Sequence, residues 1–104
     1  MQLVVLGLNH RSAAVEVRER FSFEKNEVES ALNRLYEYEK ISECVILSTC
    51  NRTEIYAVLE DVQSSKEYML DVLKNLKHAD TIDESAFFFY EEKACIEHLF
   101  RVSA

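Results

Sequence analysis

The chain has 104 residues, of which 48% are apolar and 30% charged, and its formal net charge is −7. That length allows one small domain with its own core and leaves little room for a second. The acidic balance, without any cluster of Lys and Arg, argues against a domain that grips RNA by its phosphates. No apolar run approaches the roughly 20 residues of a membrane span, and no signal peptide precedes the first strand. We therefore expect a cytoplasmic domain that does not contact a membrane.

The first half of the chain predicts three strands and a helix. A strand is predicted from Gln2 to Leu8, and a helix from Asn26 to Tyr38, where apolar residues recur at the i, i+3, i+4, i+7 spacing of one face. These apolar residues are Val28, Ala31, Leu32 and Leu35. The segments Cys44 to Ser48 and Glu54 to Leu59 are rich in β-branched or aromatic residues, which favours two further strands.

Between these last two strands, the segment Thr49 to Thr53 is polar apart from one thiol. We predict a hairpin whose tip displays Cys50. A thiol needs electropositive surroundings to ionise near neutral pH, and Arg52 is placed to supply them. The alternative is a cysteine that packs as a small buried hydrophobe.

The other two cysteines, Cys44 and Cys95, share no CxxC spacing with Cys50 or with each other. An odd number of cysteines at such spacings indicates neither a disulfide framework nor a zinc site. We expect three free thiols, with Cys44 and Cys95 buried, and no metal ligands.

The second half predicts a helix, a short aromatic strand and a last helix. Ser64 and Glu67 have the spacing of a capping box at the start of the first of these helices. Its apolar face would comprise Met69, Val72, Leu73 and Leu76. The strand is predicted from Ala86 to Tyr90 and the last helix from about Glu91 to Val102. The apolar face predicted for that last helix comprises Cys95, His98, Leu99 and Val102.

The order β-α-β-β-α-β predicts an α+β fold of the ferredoxin-like, split βαβ type: an antiparallel sheet covered on one face by two helices, with an appended C-terminal helix. In that topology the first and third strands are antiparallel neighbours, so the segment Asn9 to Ser12 should lie beside Cys50 to Thr53. The appended helix must turn back, which moves His98 roughly 10 Å toward the Cys50 end.

Three segments in order resemble the glutamyl-tRNA reductase family. They are Ser48 to Tyr56, which is similar to the family's active-site segment; Gly7 to Ala13 followed by Val15 to Phe21; and His98 to Val102. The resemblance covers essentially the whole chain but only the front of the family's protein. It implies that residues 1–104 are an N-terminal catalytic, glutamyl-binding domain, cut in mid-helix at Ala104, without the NADPH-binding and dimerisation domains.

The resemblance implies NADPH-dependent reduction of glutamyl-tRNA(Glu) to glutamate 1-semialdehyde, the first step of tetrapyrrole synthesis, through a thioester on Cys50. NADPH would belong to the full-length enzyme, because this chain has no GxGxxG motif and only one glycine. The isolated domain should therefore lack the reductase reaction. The implied partners are glutamyl-tRNA(Glu), a second copy of the full-length parent, and glutamate-1-semialdehyde aminomutase as a channelling partner.

By the same resemblance Cys50 and His98 would be catalytic, and six residues would bind substrate: Thr49, Asn51, Arg52, Asn9, His10 and Ser12. The planar fork of Arg52 suits the side-chain carboxylate of the glutamyl group. Each role has a structural alternative: Thr49 and Asn51 can simply close the turn, and His10 can be an exposed loop residue. Glu54 is either a solvated charge at the strand end or a group that orients Arg52, and His78 fits the end of a helix.

Two other functions use the same sequence features. A ferredoxin-like domain can bind small molecules or RNA, and RNA-binding versions present sheet aromatics such as Phe87 to Tyr90, which here lie in acidic surroundings. A stand-alone Cys–His esterase would use Cys50 and His98 without hydride. The sequence that follows residue 104 would separate an esterase from a reductase.

Overall fold

The computed structural model describes residues 1–103 and has four strands and four α-helices within that range. In chain order these are β1 (Gln2–Asn9), α1 (Val15–Phe21), α2 (Lys25–Tyr36), β2 (Ile41–Ser48), β3 (Arg52–Leu59), α3 (Ser65–Lys77), β4 (Phe88–Glu91) and α4 (Glu92–Ser103). A short 3₁₀ turn, Glu84–Ala86, precedes β4. None of the helices in the described range is long and apolar enough to cross a membrane. Ala104, where a cut helix was predicted, lies outside the described residues.

The four strands form one sheet in the order β2-β3-β1-β4, and every neighbouring pair is antiparallel. This is the strand order of the predicted ferredoxin-like fold, which is confirmed. Alternate residues of β1 and β3, such as Val4, Leu6 and Ile55, point to one face and join Leu35 of α2 and Met69 of α3 in the main core. We call this side of the sheet the core face.

The opposite side of the sheet, which we call the α4 face, carries a smaller cluster centred on Val5, Tyr56 and Cys95. The last helix reaches it by an abrupt reversal: β4 ends at Glu91, and Glu92 begins α4 with a left-handed φ of 51°. The predicted reversal of the chain after the last strand is therefore confirmed. Because α4 lies on this face, the sheet is covered on both sides near β1 and β4.

Several predicted details of the elements are wrong. Ser64 forms no side-chain cap, because its backbone (φ −115°, ψ 77°) departs from the extended conformation of a typical N-cap. A capping box instead starts α2, where Glu24 and Glu27 each accept a backbone N–H of the other. The helix α1 was not predicted, since its seven residues bury only Phe21 and show no repeating apolar face.

The boundaries of the strands also differ from the prediction. Strand β2 begins at Ile41 and β3 at Arg52, both earlier than predicted, because cross-strand pairing extends past the apolar runs. Ala86 belongs to the 3₁₀ turn instead of the last strand. Leu99 is not on the buried face of α4; its side chain is 37% exposed, and the buried residues of that helix are Cys95 and His98.

Candidate active site

The hairpin between β2 and β3 displays its thiol to solvent. The connection comprises Thr49, Cys50 and Asn51, and Cys50 is exposed. The Thr49 N–H donates to the carbonyl oxygen of Arg52 at 2.8 Å, and the Asn51 N–H donates to Thr49 Oγ1 at 3.2 Å. The predicted display of Cys50 is confirmed. The Thr49 side chain closes the turn, as one of the two alternatives predicted.

The other two thiols are buried, as predicted, and all three cysteines are free. Burial raises the pKa of Cys44. Burial also raises the pKa of Cys95 to about 11, and the negative charges of Glu92 and Glu54 add to this effect. Near neutral pH both thiols are protonated and shielded from solvent, so Cys50 is the thiol that an external electrophile can reach.

An open cleft of about 550 Å³ lies beside the hairpin, between the β1–α1 turn, the start of β3, β4 and α4. Its lining residues are Asn9, His10, Arg11, Ser12, Arg52, Phe88, Tyr90, His98, Arg101 and Val102. The antiparallel register pairs Asn9 with Arg52, so the predicted juxtaposition of these two segments is confirmed. Thr49, Cys50 and Asn51 lie on the hairpin just before Arg52 and do not line the cleft. The roles assigned to all these residues stay predictions.

One wall of the cleft is a turn built by two of the predicted site residues. Asn9 Oδ1 accepts the backbone N–H groups of Arg11 and Ser12, at 2.9 and 3.1 Å. Ser12 Oγ accepts the Asn9 N–H at 2.9 Å. Asn9 and Ser12 therefore shape the turn that follows β1 and hold His10 and Arg11 at its tip, where both side chains are exposed.

Beneath the cleft lies a carboxylate that is fully buried, with 0% of Glu54 exposed. Its Oε2 accepts from Arg52 Nη1 at 3.2 Å and shares a hydrogen bond with His98 Nε2 at 2.6 Å, and its Oε1 accepts from the Tyr56 hydroxyl at 2.7 Å. The prediction of a solvated strand-end charge is wrong, because β3 begins at Arg52 and α4 covers this part of the sheet. The contact with Arg52 agrees with the alternative, a group that orients Arg52.

Aromatic rings surround this buried carboxylate network. The His98 ring lies 4.8 Å from the ring centroid of Phe88 and 5.1 Å from that of Tyr90. Burial raises the pKa of Tyr56 above its usual range, and the hydrogen bond to Glu54 and the charge of Glu54 raise it further. Tyr56 therefore stays a neutral donor to the carboxylate.

The only glycine of the chain lies in the middle of this site. Gly7 pairs with Glu54 on one side and with Phe88 on the other. A Cβ atom at this position would lie 2.7 Å from Phe88 Cζ, 2.9 Å from the Thr53 carbonyl oxygen and 3.0 Å from Glu54 Cγ. A glycine in a strand interior here permits a close approach that no other residue allows.

The charge of the cleft is opposite to that of the domain. Three guanidinium groups, from Arg11, Arg52 and Arg101, line it together with two imidazoles, and no carboxylate is among its lining residues. Sequence reasoning did not single out Arg11 or Arg101, although both lie within the quoted segments. Arg101 follows His98 by three residues on a helix, a spacing that places both on one side and could have identified it. The arrangement suits an anionic ligand close to an exposed thiol.

The comparisons with known proteins agree on one family. Residues 6–104 match the model of the family described as "Glutamyl-tRNAGlu reductase, N-terminal domain". Glutamyl-tRNA reductase of Bacillus subtilis (strain 168) is 41% identical over 104 residues, which cover 99% of this chain and 23% of that protein. The corresponding protein of Listeria welshimeri is 39% identical over 105 residues, covering 100% of this chain and 24% of that protein.

A solved structure is also similar. The glutamyl-tRNA reductase of Methanopyrus kandleri superposes with a TM-score of 0.64 at 29% identity, over 97% of this chain and 22% of that one. The chain thus spans about a quarter of the length of the curated relatives it matches. By sequence and by fold, the chain belongs to the glutamyl-tRNA reductase N-terminal domain family.

Proposed function

We propose that this chain is the glutamyl-binding, acyl-transfer domain of a glutamyl-tRNA reductase, and that Cys50 takes the glutamyl group from tRNA(Glu) as a thioester. The observation that carries this proposal is the exposed Cys50 thiol at a hairpin next to a cleft lined by cations in an acidic domain. The names of the relatives supply the substrate.

The transfer step follows from the chemistry of sulfur. The Cys50 thiolate attacks the carbonyl carbon of the ester, a C–S bond forms, and the bond from that carbon to the ribose oxygen breaks. The proton lost by the thiol ends on the departing ribose hydroxyl, so the step is neither an oxidation nor a reduction. His98 is the group we assign to managing that proton.

Arg52 would bind the carboxylate of the glutamyl side chain. Its guanidinium is planar and offers paired N–H donors, and its side chain is 25% exposed toward the cleft. One of its N–H groups is used by Glu54, which leaves others for substrate. Arg11 and Arg101 lie further along the same cleft, where their charge suits the phosphates at the acceptor end of the RNA.

The residues of this chain do not fit NADPH. A dinucleotide pyrophosphate is held by a glycine-rich turn at a helix N-terminus, whereas the single glycine of this chain is enclosed in the middle of β1. We therefore propose that reduction to glutamate 1-semialdehyde, dimer formation and transfer to an aminomutase depend on parts of a longer protein. Only the acyl transfer is assigned to these residues.

The test is mass spectrometry of the chain after incubation with glutamyl-tRNA(Glu). We expect a glutamyl adduct on the peptide that contains Cys50, sensitive to hydroxylamine, and no adduct in Cys50→Ser. Arg52→Lys is the matched variant for recognition: it keeps the positive charge but loses the planar fork, so the adduct should form more slowly. The negative control is tRNA(Glu) without an attached glutamyl group.

Absence of the adduct from the wild-type chain, while iodoacetamide still alkylates Cys50, would contradict acyl transfer by this chain. An adduct that persists in Cys50→Ser would contradict the assignment of the nucleophile.

A glutamyl-tRNA esterase is the second candidate, favoured by the openness of the site. Cys50 is exposed to water, so a thioester formed there can be hydrolysed to free glutamate. Measuring the release of glutamate and of uncharged tRNA beside the adduct distinguishes stable capture from turnover. The RNA-binding alternative is disfavoured, because His98 packs against Phe88 and Tyr90, the sheet aromatics on which bases would stack.

A further inference from the structure

We propose that Glu54 is a positioning residue that holds Arg52 and His98 in a fixed relation and turns Nδ1 of His98 toward the cleft. This inference deepens the proposed function and rests on it for the roles of Arg52 and His98. Glu54 itself touches no part of the open cleft, since it is fully buried and is not among the lining residues.

Two of the three contacts in this network have a defined direction. An arginine side chain can only donate, and the tyrosine hydroxyl, placed 2.7 Å from Oε1, donates to the other carboxylate oxygen. Glu54 Oε2 already accepts from the Arg52 guanidinium, and a carboxylate has enough acceptor sites for Arg52, Tyr56 and His98 together. The proton between His98 and Glu54, atoms 2.6 Å apart, therefore belongs to Nε2 of the imidazole.

A neutral imidazole that carries its proton on Nε2 has its lone pair on Nδ1. Nδ1 forms no hydrogen bond with any residue in the described range, and the ring lines the cleft. Phe88 and Tyr90 pack against the ring, which limits its rotation. Nδ1 is thus the nitrogen available to take the thiol proton and to return it to the departing ribose oxygen.

The same carboxylate joins two separate elements of the fold. Arg52 and Glu54 are two residues apart on β3 and so project from the same face of the sheet, whereas His98 comes from α4. Glu54 contacts both Arg52 and His98. If this carboxylate is removed, the guanidinium that we propose binds the substrate carboxylate can move independently of the imidazole. Second contacts of this kind orient the groups that act directly on substrate.

Nuclear magnetic resonance of the wild-type chain tests the arrangement without any substrate. With ¹⁵N-labelled histidine, we expect the neutral form of the His98 ring to be a single tautomer, with the proton on Nε2 and the lone pair on Nδ1. His10 and His78 are exposed and serve as internal references with averaged tautomers. A His98 ring that carries its proton on Nδ1 would overturn the proposal.

Substitutions of Glu54 test the consequence for transfer. Glu54→Ala should slow glutamyl transfer to Cys50 about 100-fold, the scale of a lost general acid–base. Glu54→Gln should retain more activity, with a loss of about 10-fold, because the amide oxygen can still accept from Arg52 and His98 while Tyr56 rotates to accept from the amide. Glu29→Gln, an exposed position on α2, is the matched control and should transfer at the wild-type rate.

Two readouts separate positioning from folding. Cys50 should remain open to alkylation by iodoacetamide in each variant, since this small reagent needs no binding site for a glutamyl group, and its rate measures any change in the thiolate fraction separately. Continued protection of the buried Cys44 and Cys95 shows that the fold persists. A Glu54→Ala chain with both thiols protected and a wild-type transfer rate would refute the inference.

The experiments distinguish failure of the proposed function from failure of the role proposed for Glu54. If the wild-type chain forms no adduct, acyl transfer by this chain is contradicted, while the tautomer of His98 still decides the role of Glu54. If Glu54→Ala does not fold, the inference is tested by the transfer rate of Glu54→Gln and by the histidine spectrum of the wild-type chain.

Discussion

The two faces of the sheet are organised by different forces. On the core face, side chains of three helices and three strands exclude water as one continuous apolar cluster. On the α4 face only a small apolar cluster forms, and beside it a buried carboxylate joins an arginine, a tyrosine and a histidine. This domain therefore derives its stability mainly from the core face of the sheet and carries the polar groups of the candidate site on the α4 face.

The largest effect should come from truncating the core face. Leu35→Ala removes a side chain that is 0% exposed, and we expect the free energy of unfolding to fall by about 2–5 kcal/mol because a cavity remains. Urea denaturation measures this loss. Under conditions where the variant is folded, Cys50 should still be alkylated at the wild-type rate. A large change in that rate would show that the two faces are coupled.

The second-largest effect on stability should come from a substitution on the α4 face. Gly7→Ala places a methyl group against Phe88, the Thr53 carbonyl and Glu54, so we expect a loss of about 1–3 kcal/mol from overpacking. Unlike Leu35→Ala, it should also slow glutamyl transfer in the folded protein, because Glu54 must shift. Denaturation and adduct formation measured on one sample check both effects. A destabilised variant with unchanged transfer would contradict the close coupling of Gly7 to Glu54.

Alkaline pH should destabilise the domain, in part through two groups on the α4 face. The pKa values of Tyr56 and Cys95 are both raised in the folded state, Cys95 to about 11, so the unfolded chain loses these protons at lower pH. The free energy of unfolding is therefore nearly unaffected by these groups below pH about 8 and falls as the pH rises beyond it. Tyr56→Phe should flatten this fall in urea denaturation measured between neutral and alkaline pH. An identical slope in that variant would show that Tyr56 does not contribute.

The smallest effect on stability should come from the edge of the cleft. Arg101→Ala changes an exposed residue, so the free energy of unfolding should move by less than about 0.5 kcal/mol. If Arg101 meets an RNA phosphate, the variant should bind tRNA(Glu) more weakly and with a smaller dependence on salt. Lys93→Ala, on the same helix but outside the cleft, is the control. Equal affinities of the two variants would remove Arg101 from the proposed interface.

Patterns that depend on neighbouring residues were sufficient to predict much of the fold. Apolar residues at helical spacing located α2 and α3, and two apolar runs around a polar segment located the hairpin that exposes Cys50. Element order then predicted the pairing of β1 with β3, and with it the position of Asn9 opposite Arg52. The helix α1 was not predicted because its seven residues are too few to show a repeating apolar face.

The candidate site was predictable only in part, for a physical reason. Cys50, Arg52 and His98 lie in recognisable segments, but Glu54 looks in the sequence like an ordinary charged residue at a strand end. The Glu54 side chain is buried because α4 covers this part of the sheet and because Gly7, which has no side chain, leaves space beside it on β1.

Local sequence patterns were enough to predict most of the helices and strands and the thiol that is exposed, because periodicity and turn chemistry act over a few residues. Which charged side chains come into contact depends on the tertiary structure. Residues 54 and 98 are far apart along the chain, and no local pattern specifies that one carboxylate will hold the arginine and the histidine of the cleft together.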